Sequence, residues 1–291
     1  MMAELKDDSD KVNEWYRRLT GALLKLPDDQ RAELAEWQKL NVNYCTVFVS
    51  DWPGWTSIIG PRPDIGSDSR NKFRDLRLES ISEHSTQIKL WNSPIIVAHV
   101  MPEHDYDVNL LENHDPNVIG NELLVMLSRQ GREYSNRRTT DSHIKHAPKE
   151  EPYYTYTELF NNGRIEIARE AYYTNPPSID TDYEYELLTV LQSALKVQFD
   201  IGVRGRIYVA LSILGAEGCR MRRKDNILVN SLAISGQEVR TPETFIEELG
   251  QHDIADLARV MKKSFDYIAR AAGLRGSVNY DSNRVFLDRF R

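Results

Sequence analysis

The longest apolar run in the chain, Ile207 to Leu214, sets the first constraint on its fold. It is apolar and broken only by Ser212, with Gly205 before it and Gly215 after it. A run of this kind reads as a central strand buried on both faces, so the sheet that holds it needs a cover on each side. It is far too short to cross a bilayer, which takes roughly 20 apolar residues. Ile95, Ile96, Val97, Ala98 and Val100 make a second short strand of the same type between Pro94 and Met101.

Candidate covers are legible as amphipathic stripes. Ile254, Leu257, Ala258, Met261, Phe265, Ile268 and Ala272 recur at helical spacing, and Gly273 follows as a cap. Leu187, Val190, Leu191, Ala194 and Leu195 form another stripe, which Thr181 and Glu184 would open as a capping box. Asp115 and Pro116 mark a third start, with Val118, Ile119, Leu123, Met126 and Leu127 on its face. Ser69 to Trp91 reads as helix, and Thr241-Pro242 as the start of a shorter one. At the N-terminus Val12, Trp15, Tyr16, Leu19 and Leu23, then Leu34 and Trp37 after the break at Pro27, predict a helical hairpin.

Strands and turns fill the remainder. Val42 to Val49 alternates as a strand, followed by a loop rich in proline and glycine that carries Trp52 and Trp55, as a lid or a binding platform. Gly131 to Pro152 lacks periodicity and reads as a loop or a seam between subdomains. Asn162-Gly163 is a hairpin turn. A two-residue loop pairs Phe160 with Ile165; the bulged alternative pairs Leu159 with Ile165 and sets Glu158 against Glu166. Like charges favour the first. Gly215 to Gly218 turns the chain, and Cys219 and Met221 begin a return strand.

These elements predict an α/β or α+β fold, a mixed sheet flanked by helices, with the helical hairpin at the N-terminus and the long amphipathic helix near the C-terminus. The expected divisions are 1–66, 67–150 and 151–291. With 41% hydrophobic and 28% charged residues the composition is globular rather than disordered. Cys45 and Cys219 are the two cysteines, and no secretory leader precedes them, so reduced thiols and a cytoplasmic setting are expected.

Three segments come in a recognisable order: Tyr156 to Glu166, Tyr208 to Met221, and Phe265 to Leu274. Together they resemble the region that follows the Schlafen/AlbA-type ATP-binding domain in many bacterial proteins. The resemblance runs from about Phe73 onward and rests on strand and turn patterns. The ATP-binding domain itself has no counterpart in the first seventy or so residues, so its activity does not carry over. What the resemblance implies is a non-enzymatic protein-interaction, regulatory or sensing module of a bacterial system, with anti-phage defence as one setting. Its partner would be another protein or a second copy of the chain.

Two clusters offer other chemistry. Arg204 and Arg206, with Arg220, Arg222, Arg223 and Lys224, give residues 200–224 a balance of six Lys/Arg against Asp200 and Glu217, in a chain of net charge −7. On one hairpin these side chains could share an edge and contact nucleic-acid phosphates; otherwise they are structural ion-pair partners. His104, Asp105, Asp107 and His114, with Glu103, Glu112 and Asp115, could hold a divalent ion for a metal-dependent hydrolase or nuclease, or be a solvated acidic loop. No nucleophile elbow, phosphate-cradling glycine loop or Cys-x-x-Cys pair occurs, so no catalytic residues and no cofactors are assigned.

Overall fold

The computed structural model describes residues 14, 17–19, 22, 25–41, 66–92, 94–103, 106, 109–126, 134–147, 152–171, 177–222, 231–247, 252–281, 283 and 285–287. The chain divides into two compact units, Met1–Ser67 and Asp68–Arg291. In the first, helix α1 spans Asp28–Asn41 with Asp28 and Asp29 in its first turn, where carboxylates meet the positive end of the helix dipole. Leu19, Leu26 and Leu34 are buried there. The strand expected over Val42 to Val49 and the loop with Trp52 and Trp55 lie outside the described residues.

In the larger unit the strands, in chain order, are β1 Ile95–Pro102, β2 Ser135–Arg138, β3 Ser142–Ala147, β4 Thr155–Phe160, β5 Ile165–Glu170, β6 Ser178–Asp180, β7 Ile207–Leu214, β8 Arg220–Arg222, β9 Glu238–Arg240 and β10 Thr244–Ile246. Helices α2 Ser67–Ser82, α3 Pro116–Glu122, α4 Tyr183–Asp200 and α5 Ile254–Ala271 accompany them. An eight-stranded sheet runs β10-β7-β1-β5-β4-β3-β2, with β9 also paired to β7. Every pairing within it is antiparallel. The parallel component stands apart, as a two-stranded sheet of β6 and β8. The class is therefore α+β. Strands from either side of residue 150 are neighbours in the large sheet, β3 with β4 and β1 with β5 and β7.

Strand alternation gives the sheet two faces. From β7, Ile207, Val209, Leu211 and Ile213 join the main core with Leu187, Leu191 and Leu195 of α4 and Leu257, Met261, Phe265 and Ile268 of α5. The intervening positions look the other way, toward α2. There a smaller apolar cluster gathers Leu78 and Ile81 of α2 with Ile95, Val97, Ile144, Tyr156 and Ala168. The long C-terminal helix is as expected, its Asp253 cap accepting from the Asp256 N–H at 2.7 Å.

Several local expectations are overturned. The Asn162-Gly163 hairpin takes the bulged register, Leu159 against Ile165 and Glu158 against Glu166. Gly163, at φ 79°, occupies the left-handed position that this loop requires. The stretch 131–152 is not a plain loop: it holds the β2–β3 hairpin, whose turn is closed by the Thr139 hydroxyl accepting from the Ser142 N–H at 2.9 Å. The helix expected to reach Trp91 stops at Ser82, before His84 at φ 55°. Thr241-Pro242 leads into strand β10, not a helix. β8 is not a return strand on β7 but pairs with β6. Finally, Glu184 does not cap α4, because its carboxylate turns inward to Ser277 and Asn279.

Candidate functional site

The densest chemistry lies between α2 and the sheet. Arg70, Arg74 and Arg77 fall four and three residues apart, one stripe of a helix, and all three reach onto the sheet.

Arg77 bridges the two glutamates that the hairpin register sets opposite each other. It donates to Glu158 at 2.8 Å and to Glu166 at 2.6 and 3.0 Å. The Tyr156 hydroxyl adds a bond to Glu166 at 2.7 Å, and Ser142 one to Glu158 at 2.7 Å. His99, fully buried on β1, donates from Nε2 to Glu166 at 3.0 Å. Burial alone would raise the Glu166 carboxyl, but the Arg77 guanidinium and the His99 bond hold it well below the usual carboxylate range. Burial pushes His99 below its ordinary value against the pull of Glu166, so the ring is neutral. Glu158 is raised by burial, with Arg77 and Ser142 opposing.

Arg74 serves a different purpose. Between β9 and β10 the edge strand breaks at Thr241-Pro242, where proline offers no ladder donor. Arg74 fills the break, donating to the Thr241 carbonyl at 2.9 Å, the Leu211 carbonyl at 2.6 Å and the Ser212 hydroxyl at 2.9 Å. Arg70 pairs with Glu243 at 3.1 Å and lies 3.6 Å over the Tyr208 ring.

A carboxylate-oriented imidazole is the geometry of a general base. Here, however, the outer nitrogen of His99, Nδ1, faces no donor or hydroxyl among the described residues. The Phe73 ring meets the imidazole edge-on at 5.6 Å. With α2 in place the Glu166–His99 pair is a fold element without access for a substrate.

A second buried carboxyl sits on α4. Glu184 accepts from Ser277 at 2.6 Å and Asn279 at 3.1 Å, and burial pushes it up to about 8. Its Oε1 and the adjacent Tyr183 hydroxyl are buried without a partner among the described residues.

The residues singled out from sequence are scattered. Arg204 donates to the Phe199 and Val203 carbonyls at 2.7 and 2.6 Å and lies 4.4 Å over the Phe199 ring, closing the end of α4. Arg206 pairs with Glu247 at 2.8 Å. Arg220 and Arg222 lie on β8, beyond the other end of β7, a strand of roughly 25 Å at ~3.4 Å per residue. One hairpin edge therefore does not gather the four. Arg220 is exposed, and Arg222 is half-buried with an unpartnered Nε. Arg223 and Lys224 lie outside the described residues, as do His104, Asp105 and Asp107. His114 is half-buried, while Asp115 is used as the cap of α3, accepting from Asn117 at 2.8 Å. Among the described residues no group of three or more His, Cys, Asp or Glu is placed to hold a metal ion.

What the sequence reading missed is the arginine stripe of α2. Its signal was present: cations on the same helical side as Phe73, Leu78 and Ile81, where solvent-facing charges do not belong. No helix among the described residues is long and apolar enough to cross a membrane. Comparison of the chain with family models, with curated proteins and with solved structures finds no match.

Proposed function

We propose that this chain is a non-enzymatic protein-interaction module of regulatory or sensing type, in the bacterial and anti-phage setting that the Schlafen/AlbA-associated resemblance implies. The observation that carries this reading is the charged seat of α2, the helix that the chain enters as it leaves the first compact unit. Arg70, Arg74 and Arg77 are each matched to carboxylates or carbonyls of the sheet. Buried ion pairs return little more than their desolvation cost, so a helix seated this way has a released form closer in energy than one seated on leucines. A regulatory module needs one such bistable element.

Hydrogen exchange on the full chain tests this. Amides of the first turns of α2 are expected to exchange through a local opening, well ahead of those in α4 and α5. Exchange of α2 only together with the core would overturn the reading.

A second reading keeps the chain as a nucleic-acid binder. Arg220, exposed on β8, favours it. The salt dependence of binding to duplex DNA is its test.

A further inference from the structure

We infer that the outer edge of β2 is a docking edge for an extended, acidic polypeptide segment of another protein, which adds to the sheet as a further strand. This deepens the interaction-module reading and rests on it, since it gives that module a partner chemistry.

The argument begins with the backbone. β2 closes one side of the eight-stranded sheet and pairs with β3; among the described residues no strand pairs with its outer side. In an antiparallel edge strand every second residue turns its N–H and C=O outward, which is the template for strand addition.

Side chains then select the occupant. Asn136, Arg137 and Arg138 are exposed. Arg137 pairs in register with Ile144, which belongs to the apolar cluster on the α2 face. Arg138 pairs with His143, and Asn136 with Lys145, whose ammonium donates to the Gly120 carbonyl of α3 at 2.9 Å. Positive charge therefore flanks the edge on both faces of the sheet, and among the described residues neither Arg137 nor Arg138 is paired with a carboxylate. The opposite edge differs. There Arg206 is paired with Glu247, and Arg240 with Glu238 at 2.6 Å.

A second copy of β2 is a poor occupant, because strand-to-strand pairing would crowd arginines against arginines. A nucleic acid offers negative charge but not the alternating donors and acceptors of an extended peptide. Only an acidic strand meets both demands.

The hairpin behind this edge is braced for the purpose. α3 approaches so closely at Gly120 that a Cβ there would lie 2.7 Å from Asn136 Nδ2 and 2.8 Å from His143 Nε2. An edge fixed in this way loses little further freedom on binding.

The test is fluorescence anisotropy with the full chain near physiological salt. The probe is a labelled peptide of about ten residues that alternates glutamate with valine and threonine, long enough for a strand of ordinary length. Three comparisons accompany it: the same peptide with lysine for glutamate, the same acidic peptide with alternate backbone amides N-methylated, and single-stranded DNA. The acidic peptide is expected to bind. N-methylation should weaken it about tenfold or more, since it removes ladder donors and keeps every charge. The double variant R137E/R138E should lose the acidic peptide and accept the lysine one. Should that variant fail to fold, the N-methylated peptide still decides on the unaltered chain. No binding of the acidic peptide, or equal binding of its N-methylated form, overturns the inference. So does single-stranded DNA that displaces the peptide with the same arginine dependence, which would make the edge a phosphate surface. A failure here while α2 still opens ahead of the core removes this docking edge and leaves the regulatory reading intact.

Discussion

The two faces of the large sheet are buried to a similar degree by opposite means. Toward α4 and α5 the contacts are aliphatic and aromatic: Leu187, Leu191, Met261 and Phe265 against Val209, Leu211 and Ile213. Toward α2 the centre is ionic: Arg77, Glu158, Glu166 and His99, with leucine and isoleucine only at the far end of the helix. The apolar face stabilises through area removed from water, in any state that keeps the area buried. The ionic face is specific but gains little net energy, and it fails when one partner is removed. One layer holds the fold, and the other positions a helix.

Single truncations should show the largest effect. Glu166→Ala leaves the His99 ring and the Tyr156 hydroxyl without their acceptor and Arg77 with Glu158 alone, and is expected to cost about 3–5 kcal/mol. Leu191→Ala on the other face is expected to cost ~2–5 kcal/mol through lost transfer and the cavity left behind. The two differ in how they are rescued. Replacing the charged set, Arg77→Met with Glu158→Leu and Glu166→Leu, should restore part of the loss, since no charge is left unpaired and only the neutral His99 ring and the Tyr156 hydroxyl lack their acceptor. Urea denaturation of the three proteins decides. A triple variant as unstable as Glu166→Ala alone would erase the contrast between the faces.

Titration should separate the faces next. His99 and Glu166 both have folded values below their ordinary 6.5 and 4.5. Unfolding therefore takes up protons, and the stability they contribute is present above about pH 6.5 and is lost as pH falls. Glu158, raised by burial, opposes this in part. Glu184, on the apolar side, has the opposite sign. Its folded value of about 8 lies above the ordinary 4.5, so its contribution is complete below pH 4.5 and is lost as pH rises through about 8. The slope for one proton is at most ~1.4 kcal/mol per pH unit. Glu184→Gln should be near neutral at pH 5 and clearly more stable than the unaltered chain at pH 9. Thermal midpoints across that range would measure it; a constant difference would show that the Glu184 carboxyl is not the source of the alkaline loss.

The same contrast explains what could be read from the sequence. Continuous apolar runs located β1 and β7, and period-3.6 stripes located α4 and α5, because those elements are placed by burial alone. The elements misjudged were those placed by polar contacts. Glu158 against Glu166 reads as a repulsion until Arg77, some eighty residues earlier in the chain, is placed between them. Pro242 reads as a helix start until Arg74 is seen to satisfy the carbonyls around it. Thr181 and Glu184 have capping-box spacing, but the carboxylate found buried donors at Ser277 and Asn279 instead. Arg204 and Arg206 looked like partners of Arg220 and Arg222 because the turn at Gly215 suggested a hairpin. The β8 strand crosses to β6, and the grouping dissolves.

That dissolved grouping yields the smallest expected effect, and it carries the comparison from the interior to the surface. If the chain binds duplex DNA through phosphates, arginines already engaged by the protein should contribute little, and those left open should contribute fully. Arg204 donates to the carbonyl end of α4 and Arg206 pairs with Glu247. Changing both to alanine should leave the slope of log affinity against log salt nearly unaltered. Losing the exposed Arg206 pair should cost less than about 1 kcal/mol of stability. Changing Arg220 and Arg222 together to alanine should flatten the slope by about two units, near 0.9 counterion per phosphate contact, and weaken all sequences alike. Equal flattening by both pairs would mean that the Arg206–Glu247 pair opens on binding and that both ends of β7 meet the duplex. A slope unchanged by either pair would make all four arginines structural, leaving the interaction-module reading as the one that the charges support.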